Sequence, residues 1–208
     1  EFVFCLGHKS ETIINYFLKE KKNNCKIIQN SKKHVRFSYK SNSLKFNGDL
    51  IYTGIKTGTG GRMLKSYKIL NMKSDFIMTY GDGLSNINIK KLMNFHYKNK
   101  SQVTLTAVRP KQRYGVLKIQ KNKVKFFDNS KKKSDIYING GFFIISKDGI
   151  KKIRNKNTYW EKEPLSFFLK KKKLFAFKHD GFWKSLDTLK DKNDFNEMIK
   201  KNKMPWKN

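Results

Sequence analysis

No stretch of eighteen apolar residues occurs in this 208-residue chain, so the sequence contains no candidate membrane-spanning helix. The opening residues, Glu1-Phe2-Val3-Phe4-Cys5-Leu6, lack the charged segment and small-residue cleavage site of a secretory signal, and an initiator methionine is absent. Cysteine is scarce: Cys5 and Cys25 carry no metal-ligand spacing and fit a reducing cytoplasm, where the protein is expected to reside. His8, His34, His96 and His179 show no metal spacing either, and no Ser/His/Asp or Cys/His arrangement stands out. Arginine is the last scarcity. Of 47 basic residues only 5 are Arg, although the net charge is +31. Nucleic-acid and phosphate readers favour the bidentate guanidinium. Lysine spread along the whole chain instead reads as bias at replaceable surface positions that still draws in anionic substrates, and no specific nucleic acid is expected as a partner.

What is present supports a packed fold. Hydrophobic residues make up 38% of the chain and aromatics 14%, with 17 Phe, too many for a disordered polypeptide. The length suits a single domain over 1–208. Phe2-Val3-Phe4-Cys5 reads as a buried strand, followed by a helix capped by Ser10 with the stripe Ile13, Ile14, Phe17, Leu18. Val35–Tyr39 and Leu44–Tyr52 alternate like a hairpin. A glycine-rich piece, Thr53–Gly61, leads into a helix bearing Met63, Leu64 and Tyr67. The run Asp75–Tyr80 reads as a buried strand, followed by a tight Gly81-Asp82-Gly83 turn and a helix with Ile89, Leu92, Met93 and His96, where His96 is a packed residue. Val103–Val108 is a further strand, and Tyr114–Ile119 with Lys123–Phe127 forms a hairpin. Ile136–Ile145 is a strand interrupted at Asn139-Gly140-Gly141, a bulge or a close backbone approach. Helices near 161–171 and 188–201 enclose a strand at 174–178. Alternating strands and helices predict an α/β fold with a Rossmann-like mixed, mostly parallel sheet and small hairpins.

In such folds ligands sit beyond the carboxyl ends of strands. Asp82, between two glycines at such an end, projects a hard oxygen while the backbone stays open to a phosphate, although an ordinary Asp-Gly turn gives the same string. Asp187 follows an apolar approach and is a second carboxylate of interest, with helix capping by Asp187 or Thr188 as its plain alternative. Two carboxylates at separate strand ends suit a nucleotide-bound magnesium, which keeps phosphate oxygens and waters among its ligands. Thr57-Gly58-Thr59-Gly60-Gly61-Arg62 opens a helix and could cradle an anion, though it is no Walker loop. Asn139-Gly140-Gly141 and Arg113-Tyr114-Gly115 could each bring backbone close to a sugar, or be a bulge and a turn.

These pieces, in this order, resemble the glucose-1-phosphate cytidylyltransferases among the sugar nucleotidyltransferases. The likeness runs along essentially the whole chain. It is strongest at Thr57–Arg62, Thr79–Gly83, Asn139–Phe143, Trp160-Glu161-Lys162-Glu163-Pro164-Leu165, Gly181–Trp183, Leu186–Lys192 and Pro205-Trp206-Lys207. The resemblance implies magnesium-dependent transfer of CMP from CTP to α-D-glucose 1-phosphate, giving CDP-glucose for polysaccharide biosynthesis such as O-antigen. It implies Asp82 and Asp187 as metal ligands, with Arg62 beside them in catalysis. Thr57, Gly60, Gly61, Arg62 and Gly81 would serve the nucleotide, and Gly115, Lys132, Asn139 and Gly140 the sugar phosphate. A homo-oligomer is expected by the same likeness.

Two departures accompany it. The family's opening strand and Gly-Gly-x-Gly-Thr-Arg loop are not in the chain, so it is expected to lack roughly fifty N-terminal residues, more than one βαβ unit, and to be inactive alone. The family's Glu-Lys-Pro string falls on Asn129-Ser130-Lys131, with Lys131, Lys132 or Lys133 left to supply the charge. The alternatives are a basic nucleic-acid-binding module and a sister enzyme using UTP or dTTP.

Overall fold

The computed structural model describes residues 1–20, 22–110, 116–128 and 136–207. In chain order the elements are β1 (Phe2–Leu6), α1 (Ser10–Asn15), β2 (Cys25–Ser31), β3 (His34–Lys40), β4 (Lys45–Tyr52), α2 (Thr59–Ile69), β5 (Phe76–Thr79), β6 (Gly83–Ser85) and α3 (Ile89–Lys98). There follow β7 (Val103–Val108), β8 (Val116–Gln120), β9 (Lys123–Asp128), β10 (Ile138–Ile145), α4 (Glu163–Lys170), β11 (Leu174–His179), β12 (Trp183–Ser185) and α5 (Leu189–Lys200). The chain divides into two compact units. The first is Glu1–Ser74 with Lys147–Lys170, the second Asp75–Ser146 with Lys171–Asn208.

The first unit is built on a sheet of order β1-β4-β3-β2. β1 runs parallel to β4, whereas β3 pairs antiparallel with β4 and β2. Alternation along β3 sends Val35 and Phe37 into a core with Leu6, Phe17 and Leu50, all at most 8% exposed. Gly48 is needed there: a Cβ on it would stand 2.4 Å from the Phe37 ring. The opposite face of the same strands carries His34 and Arg36 around the buried Asp49 carboxylate, with His34 Nε2 at 2.6 Å from Asp49 Oδ1. The helix expected from Ser10 starts there, but Ser10 is its first residue rather than its cap. Lys9, in the left-handed region at φ 51°, precedes it and offers no capping side chain. The apolar stripe continues through a π-type turn over Tyr16–Glu20, which rotates Phe17 onto the core.

The second unit holds a sheet of order β11-β7-β10-β5. Here β7 and β11 are parallel, while β10 pairs antiparallel with β7 and β5. The α/β class with mixed sheets is as the sequence implies, but parallel pairing is less frequent than expected: only β1–β4 and β7–β11 among the described pairs are parallel. The run through β5 reads as buried in the sequence. It lies instead at the sheet edge with a partner on one side, so Ile77 remains 41% exposed and Phe76 and Met78 are only half-buried. The α3 helix is capped by Asn88, whose side chain accepts from Lys91 N–H at 2.8 Å. It packs Leu92 against Ile87 and Ile144. The β8–β9 hairpin turns at Lys121 and Asn122, both with positive φ, the geometry that matches strand twist in two-residue turns.

Candidate active site

A two-stranded ribbon carries both predicted metal ligands. β6 and β12 pair antiparallel, with Gly83 opposite Ser185 and Ser85 opposite Trp183. One step beyond the last pair, Leu186 N–H donates to the Asp82 carbonyl at 2.8 Å. Asp82 and Asp187 therefore leave the same end of the ribbon. Its other end is fastened by Ser85 Oγ donating to Phe182 O at 2.8 Å, and by Phe182 N–H donating to Asn86 Oδ1 at 2.8 Å. Thr188 is the helix cap: its hydroxyl accepts from Asp191 N–H, and the Asp191 carboxylate accepts from Thr188 N–H, a closed capping box. Asp187 is thus left out of the cap. Ser185 Oγ donates to its Oδ2 at 2.7 Å. On the outward side of β12, Lys184 pairs with Asp194 and lies 3.6 Å from Asp191, tying the ribbon to α5.

Opposite the ribbon is the interruption in β10. The β7–β10 register shifts between Asn139 and Phe143, the bulge expected at Asn139-Gly140-Gly141. Gly141 sits at φ +79°, and a Cβ there would stand 2.8 Å from the Tyr80 ring, so glycine is required on both counts. A Cβ on Gly140 would meet Val108 Cγ1 at 2.7 Å. The bulge also orients Asn139: Gly141 N–H donates to its Oδ1 at 2.9 Å, which leaves the Nδ2 group as the end that can donate to a ligand. Trp183 bridges the two sides, with Nε1–H donating to Gly140 O at 2.7 Å. Between them lies an open hollow of about 220 Å³ whose lining includes Asp82, Asp187, Asn139, Gly140, Trp183 and Ser185. Among the described residues nothing pairs with the Asp82 carboxylate, and no group of three or more His, Cys, Asp or Glu is placed to hold a metal.

The glycines at the start of α2, in the first unit, have another task. Gly58 N–H donates to Lys156 O at 2.9 Å and Gly61 N–H to Thr158 O at 3.1 Å. Cβ atoms on Gly58, Gly60 and Gly61 would approach the backbone of Thr158 and Lys156 to 2.5, 3.0 and 2.2 Å. The Gly58 and Gly61 amides are thus engaged by the chain's own backbone, and these glycines are required for that close packing. Thr59 Oγ1 donates to Glu161 Oε2 at 2.7 Å and accepts from Trp160 N–H, so the Trp160–Leu165 string clamps this helix start and sets a carboxylate by its positive end. Arg62 donates to Thr53 Oγ1 at 2.6 Å and to Leu6 O and Ile55 O, while Thr57 Oγ1 donates to Thr53 O. Arg62 ties the end of β1 to the segment after β4, and Thr57 closes that segment on Thr53. Gly115 and Lys132, like Asn129-Ser130-Lys131, lie outside the described residues. Of the predicted residues, Asp82, Asp187, Asn139 and Gly140 come together. Trp183 and Ser185 were not among them, although two residues of one strand face just before Asp187 carry the signal.

No family model matches the chain. It is 35% identical over 213 residues to the glucose-1-phosphate cytidylyltransferase of Salmonella typhi, covering 100% of this chain and 80% of that protein. It is 34% identical over 216 residues to the probable glucose-1-phosphate cytidylyltransferase of Bacillus subtilis strain 168, covering 100% of this chain and 81% of that one. The solved structure of HddC from Yersinia pseudotuberculosis matches with a TM-score of 0.64 over 95% of this chain and 77% of that chain, at 21% identity, which shows a shared fold. Identity at this level along its whole length makes the chain a member of the glucose-1-phosphate cytidylyltransferase family.

Proposed function

We propose that the chain carries the reaction of its family, transfer of CMP from CTP to α-D-glucose 1-phosphate with release of pyrophosphate. The observation that supports this site for it is the meeting of Asp82, Asp187 and the Asn139–Gly140 bulge around one hollow. A phosphate oxygen of glucose 1-phosphate attacks the α-phosphorus of CTP. The new P–O bond forms as the α–β bond breaks, and pyrophosphate leaves with the electron pair. The nucleophile is already an anion, so no general base is needed. The obstacle is bringing two anions together in line.

Asp82 and Asp187 fit a magnesium ion: two hard carboxylates, leaving further positions to phosphate oxygens and water. Bound there, the ion would supply charge neutralisation on the triphosphate. Ser185 holds one oxygen of Asp187 and so fixes its rotamer. A Cβ on Gly81 would meet nothing within 4 Å, and its φ lies outside the left-handed region. No neighbour among the described residues requires glycine there, which fits close approach of a phosphate. Asn139 Nδ2 would donate to the sugar phosphate. Thr57, Gly60, Gly61 and Arg62 would serve nucleotide binding by holding the joint they form. The roles of Gly115 and Lys132 at the sugar phosphate rest on family likeness alone. We further propose a homo-oligomer working in the cytoplasm. Both cysteines are free thiols, and no helix of the described residues is long and apolar enough to cross a membrane.

In the protein completed with the family's opening strand and Gly-Gly-x-Gly-Thr-Arg loop, Asp82→Asn and Asp187→Asn are each expected to lower CDP-glucose formation by at least about a hundredfold, the scale of losing a charge-stabilising group. Undiminished turnover in either variant would remove that residue from the metal site. Competition among CTP, UTP and dTTP in the same assay tests the choice of base.

A further inference from the structure

The two sides of the hollow belong to different elements. The carboxylates leave the β6–β12 ribbon, and the amide donor stands on the bulge of β10. Trp183 joins them directly. Its backbone is fixed in the ribbon opposite Ser85, and its Nε1–H holds Gly140 O at 2.7 Å. Alternation in this strand separates two tasks. Lys184 engages α5 through Asp191 and Asp194, whereas Trp183 and Ser185 line the hollow. The Phe182 ring lies 5.6 Å from that of Trp206, and its backbone bonds Ser85 and Asn86, so the strand cannot slide toward or away from β10 without breaking several bonds. Gly140 and Gly141, hemmed in by Val108 and Tyr80, leave the bulge little room to shift alone. The indole bond therefore closes a frame whose span is the distance from the carboxylate end to Asn139.

A second consequence concerns hydroxyl recognition. The Gly140 carbonyl beside Asn139 already accepts from the indole, which engages one of its two lone pairs. With Asn139 Oδ1 held by Gly141 N–H, the Asn139 Nδ2 group is turned outward as this edge's donor. A donor-presenting edge beside an aromatic wall suits a hexose phosphate, whose hydroxyl and phosphate oxygens accept and whose C–H face lies against a ring.

We infer that Trp183 is a positioning residue for the sugar phosphate: through its bond to the Gly140 carbonyl it sets the gap between the Asp82–Asp187 end and the Asn139–Gly141 bulge. This rests on the reading of the hollow as the active site. Trp183→Phe keeps the ring and removes the N–H. Titration of the chain with Mn2+ followed by electron paramagnetic resonance, and with glucose 1-phosphate in the presence of Mn2+ followed by calorimetry, separates the two sides. The expected result is metal affinity and thermal midpoint close to those of the unsubstituted chain, with glucose 1-phosphate affinity about tenfold weaker, the usual worth of one hydrogen bond. In turnover of the protein completed with the family's opening segment, the variant should show a raised KM for glucose 1-phosphate and an unchanged KM for CTP. If the unsubstituted chain binds neither ligand, the reading of the hollow fails and the inference falls with it. If it binds both and Trp183→Phe binds glucose 1-phosphate equally well, the inference alone is overturned. Equal loss of metal and sugar phosphate would also overturn it, since the residue would then merely support the ribbon.

Discussion

His96 occupies the face of α3 that packs on the second sheet and is 1% exposed, with Nδ1 at 2.8 Å from Thr104 Oγ1. Burial holds its pKa below the usual histidine value, and the Asp75 carboxylate opposes this with a smaller effect. The folded state thus keeps a neutral ring, whereas the unfolded chain takes up a proton near pH 6.5. The stability linked to this residue is present in full above that value and is lost as the pH falls below it toward the depressed folded pKa. Denaturant midpoints between pH 7.5 and 5.5, chosen to bracket the usual value of about 6.5, are expected to fall more steeply for the unsubstituted protein than for His96→Gln. Equal slopes would assign the acid sensitivity elsewhere. The sequence places His96 on an apolar helical stripe, and the period of the helix is enough to read it as packed. Its hydroxyl partner comes from another element, which no local pattern announces.

At the scale of elements, the ribbon and the start of α5 form one device. The Ser185–Asp187 bond, the Thr188–Asp191 capping box and the Lys184–Asp191 contact leave Asp187 at a joint restrained on both sides. Thr188→Ala removes the cap and is expected to lower stability by about 1 kcal/mol. Because it also loosens the turn that carries Asp187, Mn2+ affinity should weaken together with the midpoint. An unchanged metal affinity would show that the cap does not hold the turn. The capping residue was legible as one of two neighbours, Asp187 or Thr188. Only the hydrogen bonds separate them, since both side chains offer an oxygen at the right distance along the chain. The same limit applied to Thr57–Arg62. Glycines before a helix announce a close approach, but whether the visitor is a phosphate or the chain itself depends on where residues 156–161 fold. The bulge in β10, by contrast, was legible from its own residues. Two adjacent glycines weaken an apolar strand and add no packing, so they mark a place where the backbone bends or is closely approached.

The molecule as a whole carries a net charge of +31, and its family's substrates are polyanions. That field should speed encounter without touching the chemical step. In the protein completed with the family's opening segment, raising monovalent salt from about 50 to about 200 mM is expected to lower kcat/KM for CTP several-fold and leave kcat nearly unchanged, since screening acts on charges farther apart than about 10 Å. A salt-independent kcat/KM would reduce the lysines to compositional bias. RNA or DNA binding that survives physiological salt would instead support a nucleic-acid role for the basic surface.

Sequence alone determined most of the periodicities, though not the short ribbon strands β6 and β12 or the polar strand β2. It showed too where the β10 bulge falls and that two aspartates follow apolar approaches. These are local properties, governed by backbone conformation and side-chain alternation within a few residues. It also carried the family, through strings distributed along the whole chain. Tertiary structure decided the rest. It put β5 on a sheet edge, where a single pairing partner leaves Ile77 exposed. It filled the helix start of α2 with Lys156 and Thr158, and it brought Trp183 onto the Gly140 carbonyl. Each outcome depends on which distant backbone arrives at a given donor or cavity. That selection is made by packing between elements far apart in sequence, so it cannot be read from the pattern of any one of them.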